Sequence, residues 1–187
     1  MKYFKKIIGK ICYLSPINPE DSVKCAEWFN NTETSIGLGE YGCVYSHETS
    51  RSMLENFSKK PYHFSIVDIN SDTLLGFCWL NNVNHIDGAA ELAILIGDNE
   101  YRGKGYGKES INLLLDYSFN VINLNNVMLS VYSHNERAIE CYKKCGFKLM
   151  GIRRNSHRMG RKFYDEIFMD IIAEEFKQES VTNLNVF

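Results

Sequence analysis

The sequence predicts an α+β fold: one mostly antiparallel twisted sheet of about six or seven strands, flanked by about four helices. Short runs rich in branched and aromatic residues, such as "YHFSIVDI" and "LLGFCWLNNV", indicate strands separated by turn residues. Stretches with apolar residues at helical spacing, such as "SINLLLDYSF", lie between other strands and indicate inserted βαβ units. The 187 residues, 44% of them hydrophobic, suit one buried core. We therefore expect a single domain over 1–187, with its core at about 10–172 and a tail at 173–187.

Composition excludes several classes of function. The formal net charge of -2 gives no general attraction to nucleic acid or to an anionic membrane, so any anion site must be local. Lys10 interrupts the apolar part of "MKYFKKIIGKICYL" before it reaches the length of a secretory core, and no apolar run approaches the ~18 residues of a membrane span. The six cysteines contain no CxxC pair, which favours reduced thiols in the cytoplasm.

Two cysteines raise the question of a metal site. Cys141 and Cys145 are four residues apart on a predicted helix and could supply half of one. No matching His or Cys pair occurs elsewhere in the sequence, so ordinary packing of small apolar side chains is the favoured interpretation. We expect no bound metal.

The first half of the chain is predicted to contain a strand and two helices with an irregular segment between them. The strand covers "KICYLSPI", and the first helix begins at Asn18 or Asp21, both of which are good N-caps. Ser46, three residues before Thr49, opens the second helix within "SHETSRSMLENFSKK". The glycines of "NTETSIGLGEYGCVY" predict an irregular segment over residues 31–45.

The second half is predicted to alternate strands with helices. The residues "NSDT" form a hairpin turn between the strands "YHFSIVDI" and "LLGFCWLNNV". A third strand, "AELAILIG", leads through a glycine-rich loop into a helix over roughly 107–120, and "NVMLSVYS" leads into a helix over roughly 135–145. The strands "FKLMGIRR" and "FYDEIFMDII" complete the sheet.

The loop "YRGKGYGKES" has the composition of an anion-binding site. Glycines at alternate positions indicate a backbone that bends or approaches a ligand closely. They are Gly103, Gly105 and Gly107. Basic side chains beside a helix N-terminus, where N–H groups and the helix dipole already favour anions, point to a phosphate. They are Arg102, Lys104 and Lys108.

A second motif lies in "YSHNERAIECYKKCGFKLMG". Asn135, Ala138 and Tyr142 fall at positions i, i+3 and i+7, so they line one face of the helix that Asn135 caps. Gly146 is expected to end this helix in the left-handed conformation. A small residue between an amide and a phenol leaves room for an extended ligand along this face.

The two motifs together resemble those of the GCN5-related N-acetyltransferases (GNAT). The matching patterns are Arg102-x-x-Gly105-x-Gly107 and Asn135-x-x-Ala138-x-x-x-Tyr142-x-x-x-Gly146-Phe147, each after a strand. The resemblance covers roughly residues 10–172, and the closing "GRKFYDEIFMDII" is most similar to the branch with ribosomal-protein N-terminal acetyltransferases and spermidine acetyltransferases. It implies a GNAT fold with splayed central strands.

The resemblance also implies a binding site for acetyl-CoA. Backbone N–H groups of the glycine loop would wrap the pyrophosphate, and the main chain of Ile94 and Ile96 would pair with the pantetheine arm. Asn135 would contact the pantetheine amide, and Ala138 would leave space beside it. The loop residues implied in binding are Arg102, Gly103, Lys104, Gly105, Tyr106, Gly107 and Lys108.

Two residues are implied in catalysis. Tyr142 would protonate the departing thiolate of CoA, since a phenol stays protonated at neutral pH. Glu91, at the start of the central strand, would accept the proton of the attacking amine directly or through water. Glu40 and His47 are weaker candidates for this base.

The implied activity is acetyl transfer from acetyl-CoA to a primary amine, on a small molecule or a protein N-terminus, by direct attack. A non-catalytic acyl-CoA-binding module with the same pocket is the alternative. Acceptor choice is expected to depend on residues 31–45 and on the basic hairpin at 151–163. The basic residues of this hairpin either bind an acidic partner or belong to a solvated turn. We expect no nucleic acid or membrane partner, and a homodimer is possible.

Overall fold

The computed structural model describes residues 2–177, within which eight strands and five helices form a mixed α/β fold. The strands are β1 (Ile7–Ile8), β2 (Cys12–Pro16), β3 (His63–Asp68), β4 (Leu74–Asn84), β5 (Ala89–Ile96), β6 (Asn126–Tyr132), β7 (Lys148–Met159) and β8 (Lys162–Ile172). The helices are α1 (Ser22–Asn30), α2 (Thr32–Leu38), α3 (His47–Ser58), α4 (Tyr106–Asp116) and α5 (Glu136–Lys144). The predicted fold class is confirmed, and the two elements beyond the predicted numbers are the short β1 and α2.

The strands are hydrogen-bonded in the order β1-β2-β3-β4-β5-β6-β8-β7. Antiparallel pairing joins β1 to β2, β2 to β3, β3 to β4, β6 to β8 and β7 to β8. Only β5 and β6 are parallel among these registers, and α4 connects them, as a parallel crossover requires. The sheet is therefore mostly antiparallel with an inserted βαβ unit, as predicted.

The described chain divides into two compact units. Unit 1 contains the residues up to Trp79 together with Ile94–Ser110, and unit 2 contains Leu80–Ala93 together with the residues from Ile111 onwards. The strands β4 and β5 contribute residues to both units. That the chain forms one domain with a tail at 173–187 stays a prediction, and residues 178–187 of that tail lie outside the described part.

Unit 1 has a hydrophobic core that fixes the end of β5. The ring of Trp28 is 3% exposed and meets Phe77 edge-to-face, with ring centroids 5.8 Å apart. It also lies directly on the backbone after β5, because a Cβ atom on Gly97 would be 2.0 Å from the Trp28 ring. The Trp28 Nε1 atom donates to Asp98 Oδ1 at 2.7 Å, so the chain leaving β5 has one defined course.

Two of the predicted helix starts in unit 1 are confirmed. Asn18 accepts a hydrogen bond from the backbone of Glu20 and caps a short 3₁₀ turn, and α1 begins directly after Asp21. At the start of α3, Ser46 and Thr49 form a reciprocal capping box, in which each side chain accepts from the backbone N–H of the other residue.

The prediction of an irregular segment over residues 31–45 is wrong for Thr32–Leu38, which form α2. The side chain of Asn31 caps this helix by accepting from Thr34 N at 3.1 Å, and Gly39 ends it with φ of 77°. The buried residues of α2 are polar, Thr34 and Ser35, so apolar periodicity could not indicate the helix.

Unit 2 contains the parallel strand pair. Ala89–Glu91 of β5 pair with Asn126–Met128 of β6, whereas β6 continues to pair with β8 as far as Tyr132. Parallel pairing over three residues agrees with strands that separate after Glu91. The predicted hairpin over 151–163 is also present, because β7 and β8 pair up to Met159 and Lys162 around a tight turn.

Two further properties concern membranes and cysteines. Within residues 2–177, no helix has the length and apolar character needed to cross a membrane. The six cysteines are free thiols, and all except Cys43 and Cys141 are buried.

Candidate functional site

The glycine loop between β5 and α4 has a backbone that only glycine adopts readily. Gly103 has φ of 75° and Gly105 has φ of 94°. A Cβ atom on Gly103 would meet nothing within 4 Å, and one on Gly105 would approach only the Ile11 side chain, at 3.6 Å. Glycine is therefore required here by backbone conformation rather than by contacts with the rest of the protein. The loop surface at Gly103 and Gly105 is exposed.

Arg102, at the start of the loop, is bound inside unit 1. Its Nε donates to the carbonyl of Ile96 at 3.0 Å, and its Nη2 donates to the carbonyl of Gly97 at 3.1 Å. Nη1 forms an ion pair with Glu33 at 2.9 Å, and Nη2 also donates to Thr34 Oγ1 at 2.6 Å. The Arg102 side chain is only 8% exposed, so its guanidinium ties the loop to β5 and α2.

Tyr106 anchors the other side of the loop. Its hydroxyl donates to Asp68 Oδ2 at 2.6 Å, and Asp68 lies at the end of β3. The bond to Asp68 and burial of the phenol raise the pKa of Tyr106 to about 12. The other oxygen of Asp68 accepts from the backbone of Asn70 and from the backbone and hydroxyl of Ser71, so this carboxylate organises the β3–β4 turn as well.

Glu109, in the first turn of α4, provides a third anchor. Its Oε1 accepts from Lys10 N at 2.5 Å, and its Oε2 accepts from Ile11 N at 2.9 Å and Cys12 N at 3.0 Å. The Cys12 thiol donates to the same oxygen at 3.4 Å. Successive backbone N–H groups at the start of β2 thus enclose one carboxylate, as in an anion-binding nest. This role was not predicted from the sequence.

The remaining predicted loop residues face outward or support α4. Lys104 and Lys108 are exposed, and the Lys104 ammonium lies 5.8 Å from the Tyr101 ring centroid. Gly107 lies in α4, where a Cβ atom would make an ordinary 3.7 Å contact with Ile96 Cγ1. The positive end of the α4 dipole and two exposed ammonium groups therefore accompany the loop.

Ile94 and Ile96, the residues predicted to contact pantetheine, lie in β5, where the alternation of buried and exposed residues is interrupted. Ala90, Leu92 and Leu95 are buried, whereas both Ile94 and Ile96 are partly exposed. The spacing of three between Leu92 and Leu95 breaks the alternation expected of a regular strand. Ile94 and Ile96 thus share one accessible side, and the Ile96 carbonyl is the acceptor of Arg102 Nε.

The candidate bases differ in their surroundings. Glu91 is partly buried in β5 of unit 2 and accepts from Asn82 Nδ2 at 3.2 Å. Glu40 is exposed and accepts from the Tyr45 hydroxyl at 3.2 Å. His47 Nε2 lies 2.9 Å from Ser22 Oγ.

The second motif is arranged in unit 2 as predicted for a helix with both ends capped. Asn135 accepts from Ala138 N at 3.3 Å at the start of α5. After the helix, Gly146 has φ of 100°, and Phe147 N donates back to the Tyr142 carbonyl at 3.1 Å. The ring of Phe147 meets the Tyr142 ring edge-to-face at 6.0 Å. These contacts hold Tyr142 in one place on α5.

Tyr142 is 9% exposed. Burial is the main cause that raises its pKa above the ordinary value, and the thiols of Cys141 and Cys145 add to the effect. Among residues 2–177, none forms a hydrogen bond with the Tyr142 hydroxyl. A protonated phenol with no acceptor inside the described protein is suited to donate a proton to a bound group.

The structure thus groups the predicted residues into two sets. Unit 1 holds Ile94, Ile96 and the loop residues 102–108, and unit 2 holds Glu91, Asn135, Ala138 and Tyr142. Within residues 2–177, there is no group of three or more His, Cys, Asp or Glu residues that could hold a metal ion. The anchors Glu33, Thr34, Asp68 and Glu109 were missed because no motif joins residues that are 38 to 99 positions from their partners.

A strand, a glycine-rich turn and a helix N-terminus within a β5–α4–β6 unit form an arrangement that receives phosphate groups in other α/β proteins. The acetyltransferase (GNAT) domain family matches residues 12–148, which is more than half of the chain. The chain belongs to the GNAT family, as the two sequence motifs indicated.

Three relatives illustrate the range of similarity. An uncharacterized N-acetyltransferase derived from the SPbeta prophage of Bacillus subtilis, YokL, is 35% identical over 90% of this chain and 94% of that protein. A spermidine N(1)-acetyltransferase of Vibrio cholerae is 31% identical over 62% of this chain, and the chain spans 66% of its length. The structure of Vibrio cholerae spermidine N-acetyltransferase in complex with CoA and spermine has a TM-score of 0.80 at 24% identity, covering 91% of this chain and all of that one, and shares the fold.

Proposed function

We propose that the chain transfers an acetyl group from acetyl-CoA to a primary amine. The observation that carries this proposal is the glycine loop at the start of α4, whose exposed backbone is held open by anchors on three other segments. The loop belongs to the part of the chain that matches the GNAT family. A glycine loop at the N-terminus of a helix, in a family of acetyltransferases, supports acetyl-CoA as the donor.

Donor binding would use the backbone and the exposed charges of the loop. The backbone N–H groups between Gly103 and Gly107 would bind the pyrophosphate, and the α4 dipole with Lys104 and Lys108 would add electrostatic attraction. Absence of a side chain at Gly103 and Gly105 leaves space for close approach. The pantetheine arm would follow the main chain of Ile94 and Ile96.

Asn135 and Ala138 would contact the same arm from the second motif. The side-chain oxygen Oδ1 of Asn135 accepts the capping bond of α5. The side-chain N–H₂ group is therefore the one suited to donate to a pantetheine carbonyl. Ala138 would leave the space that a larger side chain would fill.

The reaction proposed is direct attack within a ternary complex. The neutral amine nitrogen attacks the thioester carbon, the carbon–sulfur bond breaks, and Tyr142 gives its proton to the departing thiolate. The proton lost by the amine passes to Glu91, directly or through water, and backbone N–H groups of β5 stabilise the developing oxyanion. The raised pKa of Tyr142 favours its protonated form before this step.

The acceptor is proposed to be a small amine, with a protein N-terminus as the second candidate. The name of the Vibrio cholerae relative, spermidine N(1)-acetyltransferase, favours a polyamine. The β7–β8 hairpin instead carries a cluster of cations that would repel a polycation. Its basic residues are Arg153, Arg154, His157, Arg158, Arg161 and Lys162. We propose that the protein is located in the cytoplasm. That it forms a homodimer stays a prediction.

Donor binding is tested first, by calorimetric titration of CoA into the purified chain. Gly103→Asp would place a carboxylate in the loop and is expected to weaken CoA binding at least about tenfold by charge repulsion. Gly160→Asp is the matched control, since Gly160 also has positive φ and open space around its Cα, in the β7–β8 turn. If wild-type protein does not bind CoA, or both variants bind it equally, the proposed donor site is wrong.

Acetyl transfer is tested next by mass spectrometry. The chain is incubated with acetyl-CoA and a panel of polyamines, aminoglycosides, amino sugars and peptide N-termini. Acetylation of one class, together with CoA release, is the expected result. Tight CoA binding without transfer to any member would favour the non-catalytic acyl-CoA-binding module.

A further inference from the structure

Arg102 has a second structural role that the family motif does not describe. Four hydrogen bonds direct its guanidinium away from the exposed loop surface, to two carbonyls at the end of β5 and to two side chains of α2. The α2 partners are Glu33 and Thr34. The exposed cations Lys104 and Lys108, by contrast, lie on the solvent side of the same loop.

Glu33 holds both ends of the turn that leads into the loop. Its Oε1 accepts from Arg102 Nη1 at 2.9 Å, and its Oε2 accepts from Asn99 Nδ2 at 2.7 Å. The 3₁₀ turn Asn99–Tyr101 therefore lies between two bonds to one carboxylate. Thr34 is 3% exposed and contributes its hydroxyl as the next acceptor, which fixes the plane of the guanidinium.

We propose that Arg102 is a positioning residue that couples helix α2 to the donor-binding loop. This inference rests on the proposed function, because it takes the loop to be the CoA site. Residues 31–45, which contain α2, are one of the two segments expected to determine acceptor choice. Arg102 makes the shape of the donor loop depend on the position of the acceptor segment.

The alternative, in which Arg102 contacts the phosphate directly, predicts the opposite effect of removing the Glu33 charge. A phosphate and the Glu33 carboxylate would compete for the same guanidinium donors. Loss of the carboxylate would then release Arg102 and leave CoA binding unchanged or tighter. In the positioning role, loss of the carboxylate loosens the turn before the loop, so CoA binding becomes weaker because the loop must be ordered on binding.

The first test compares two carboxylates of unit 1 by calorimetric titration with CoA. Glu33→Gln is expected to weaken binding about fivefold to tenfold, within the range of ordinary coupling between sites. Glu100→Gln is the matched control: it removes the same charge from an exposed residue of the Asn99–Tyr101 turn, and its effect is expected to stay below about twofold. Equal or tighter binding by Glu33→Gln would overturn the positioning role.

The second test measures hydrogen exchange of α2 with and without CoA. We expect CoA to slow exchange in Thr32–Leu38 in wild type and Glu100→Gln, and this protection to be lost in Glu33→Gln. A purely local structural role for the bond would change stability without changing this response. Glu33 is 56% exposed, so the substitution is expected to leave the fold intact, which thermal unfolding without ligand checks.

The third test is a double-mutant cycle of Arg102→Lys and Glu33→Gln. A lysine supplies one ammonium group and cannot serve four acceptors in a plane, so this change is expected to weaken CoA binding about tenfold. If Arg102 acts through Glu33, the double variant binds CoA no more weakly than Arg102→Lys alone. Additive losses would overturn the coupling, whereas failure of wild type to bind CoA would overturn the proposed function instead.

Discussion

The glycine loop and helix α5 are fixed in different ways. The loop is tied by side-chain bonds to segments far away in the sequence: α2, the end of β3 and the start of β2. Helix α5 is fixed by its own neighbourhood, through the Asn135 cap and the bond from Phe147 back to Tyr142. The glycine loop is therefore held by residues distant in the sequence, whereas α5 is held by hydrogen bonds between residues close together in the sequence.

This difference follows from what each region is proposed to do. Backbone N–H groups that receive a phosphate must not be consumed by hydrogen bonds within the loop, so the loop conformation has to be imposed by surrounding groups. A proton donor needs only a fixed position and a buried environment. The caps of α5 fix the position of Tyr142 through local hydrogen bonds, and the residue is only 9% exposed.

The largest expected effect is a loss of kcat on substitution of Tyr142 in α5. Tyr142→Phe removes the proposed acid while keeping the ring and its contact with Phe147, so kcat for acetyl transfer is expected to fall about 10²- to 10³-fold. Binding of CoA is expected to change little, because the hydroxyl has no partner within the described protein and the helix does not depend on it. Stopped assays of acetylated product give kcat, and calorimetry gives the CoA affinity.

Tyr117→Phe is the control for loss of a phenol from a half-buried tyrosine in the same unit. It is expected to keep wild-type kcat. A Tyr142→Phe variant that binds CoA normally and turns over as fast as wild type would remove Tyr142 from the mechanism.

The next largest effect is expected where the loop depends on a distant anchor. In Glu109→Gln, one oxygen of the carboxylate becomes an N–H₂ group that faces backbone donors of residues 10–12. Because these donors lose an ionised acceptor, the free energy of unfolding is expected to fall by about 2 kcal/mol. Urea unfolding followed by circular dichroism measures this change.

A carboxylate on α5 provides the matched comparison. Glu140 pairs with Lys143 at 2.8 Å on the exposed face of the helix, with both side chains more than half exposed. Glu140→Gln is therefore expected to cost less than about 0.5 kcal/mol. Equal losses from the two substitutions would mean that the distant anchor matters no more than a local surface pair.

The same contrast explains which features could be predicted from the sequence. Helix caps act over about four residues, so the Ser46–Thr49 box, the Asn135 cap and the Gly146 end were all readable from local patterns. Periodicity also gave seven of the strands and the fold class. Helix α2 escaped because its buried residues, Thr34 and Ser35, are polar.

The anchors of the loop could not be predicted in this way. Glu109 belongs to neither of the two sequence motifs, and its partners at residues 10–12 are nearly 100 positions away. Arg102 was predicted to contact phosphate because it is a cation beside glycines. Its acceptors on α2 and β5 depend on how the chain folds, and no spacing rule encodes them.

A smaller effect is expected from the anchor formed by Tyr106 and Asp68, and this effect depends on pH. Burial alone would raise the pKa of Asp68, but the bonds from Tyr106, Ser71 and Asn70 outweigh it and lower the pKa. Tyr106→Phe removes one of these bonds and is expected to cost about 1 to 2 kcal/mol at pH 7. The difference in stability from wild type is measured by urea unfolding at several pH values.

The sign of the pH dependence follows from the lowered pKa. The folded state holds Asp68 ionised more strongly than the unfolded chain does, so the stabilisation is complete above the ordinary carboxyl pKa, near 4. It is lost as pH falls through the lowered value in the folded protein. The gap between wild type and Tyr106→Phe is thus expected to narrow on acidification, and a gap that is constant down to pH 3 would contradict the anchor.

The smallest effect is expected at the start of α5. Asn135→Ala removes the cap on Ala138 N and is expected to lower the free energy of unfolding by about 1 kcal/mol. Since neither the amide nor the backbone N–H titrates, this loss is expected to be the same at pH 7 and pH 3, unlike that of Tyr106→Phe. Urea unfolding at both pH values measures it.

Asn135→Ser separates the cap from the proposed contact with pantetheine. A serine hydroxyl also accepts from the third residue of a helix, so this variant is expected to recover most of the stability lost in Asn135→Ala. It lacks the amide N–H₂ proposed to donate to the donor substrate, so its affinity for acetyl-CoA is expected to stay as weak as that of Asn135→Ala. Full recovery of both stability and affinity would show that Asn135 acts only as a helix cap, and α5 would then support Tyr142 without touching the donor through this residue.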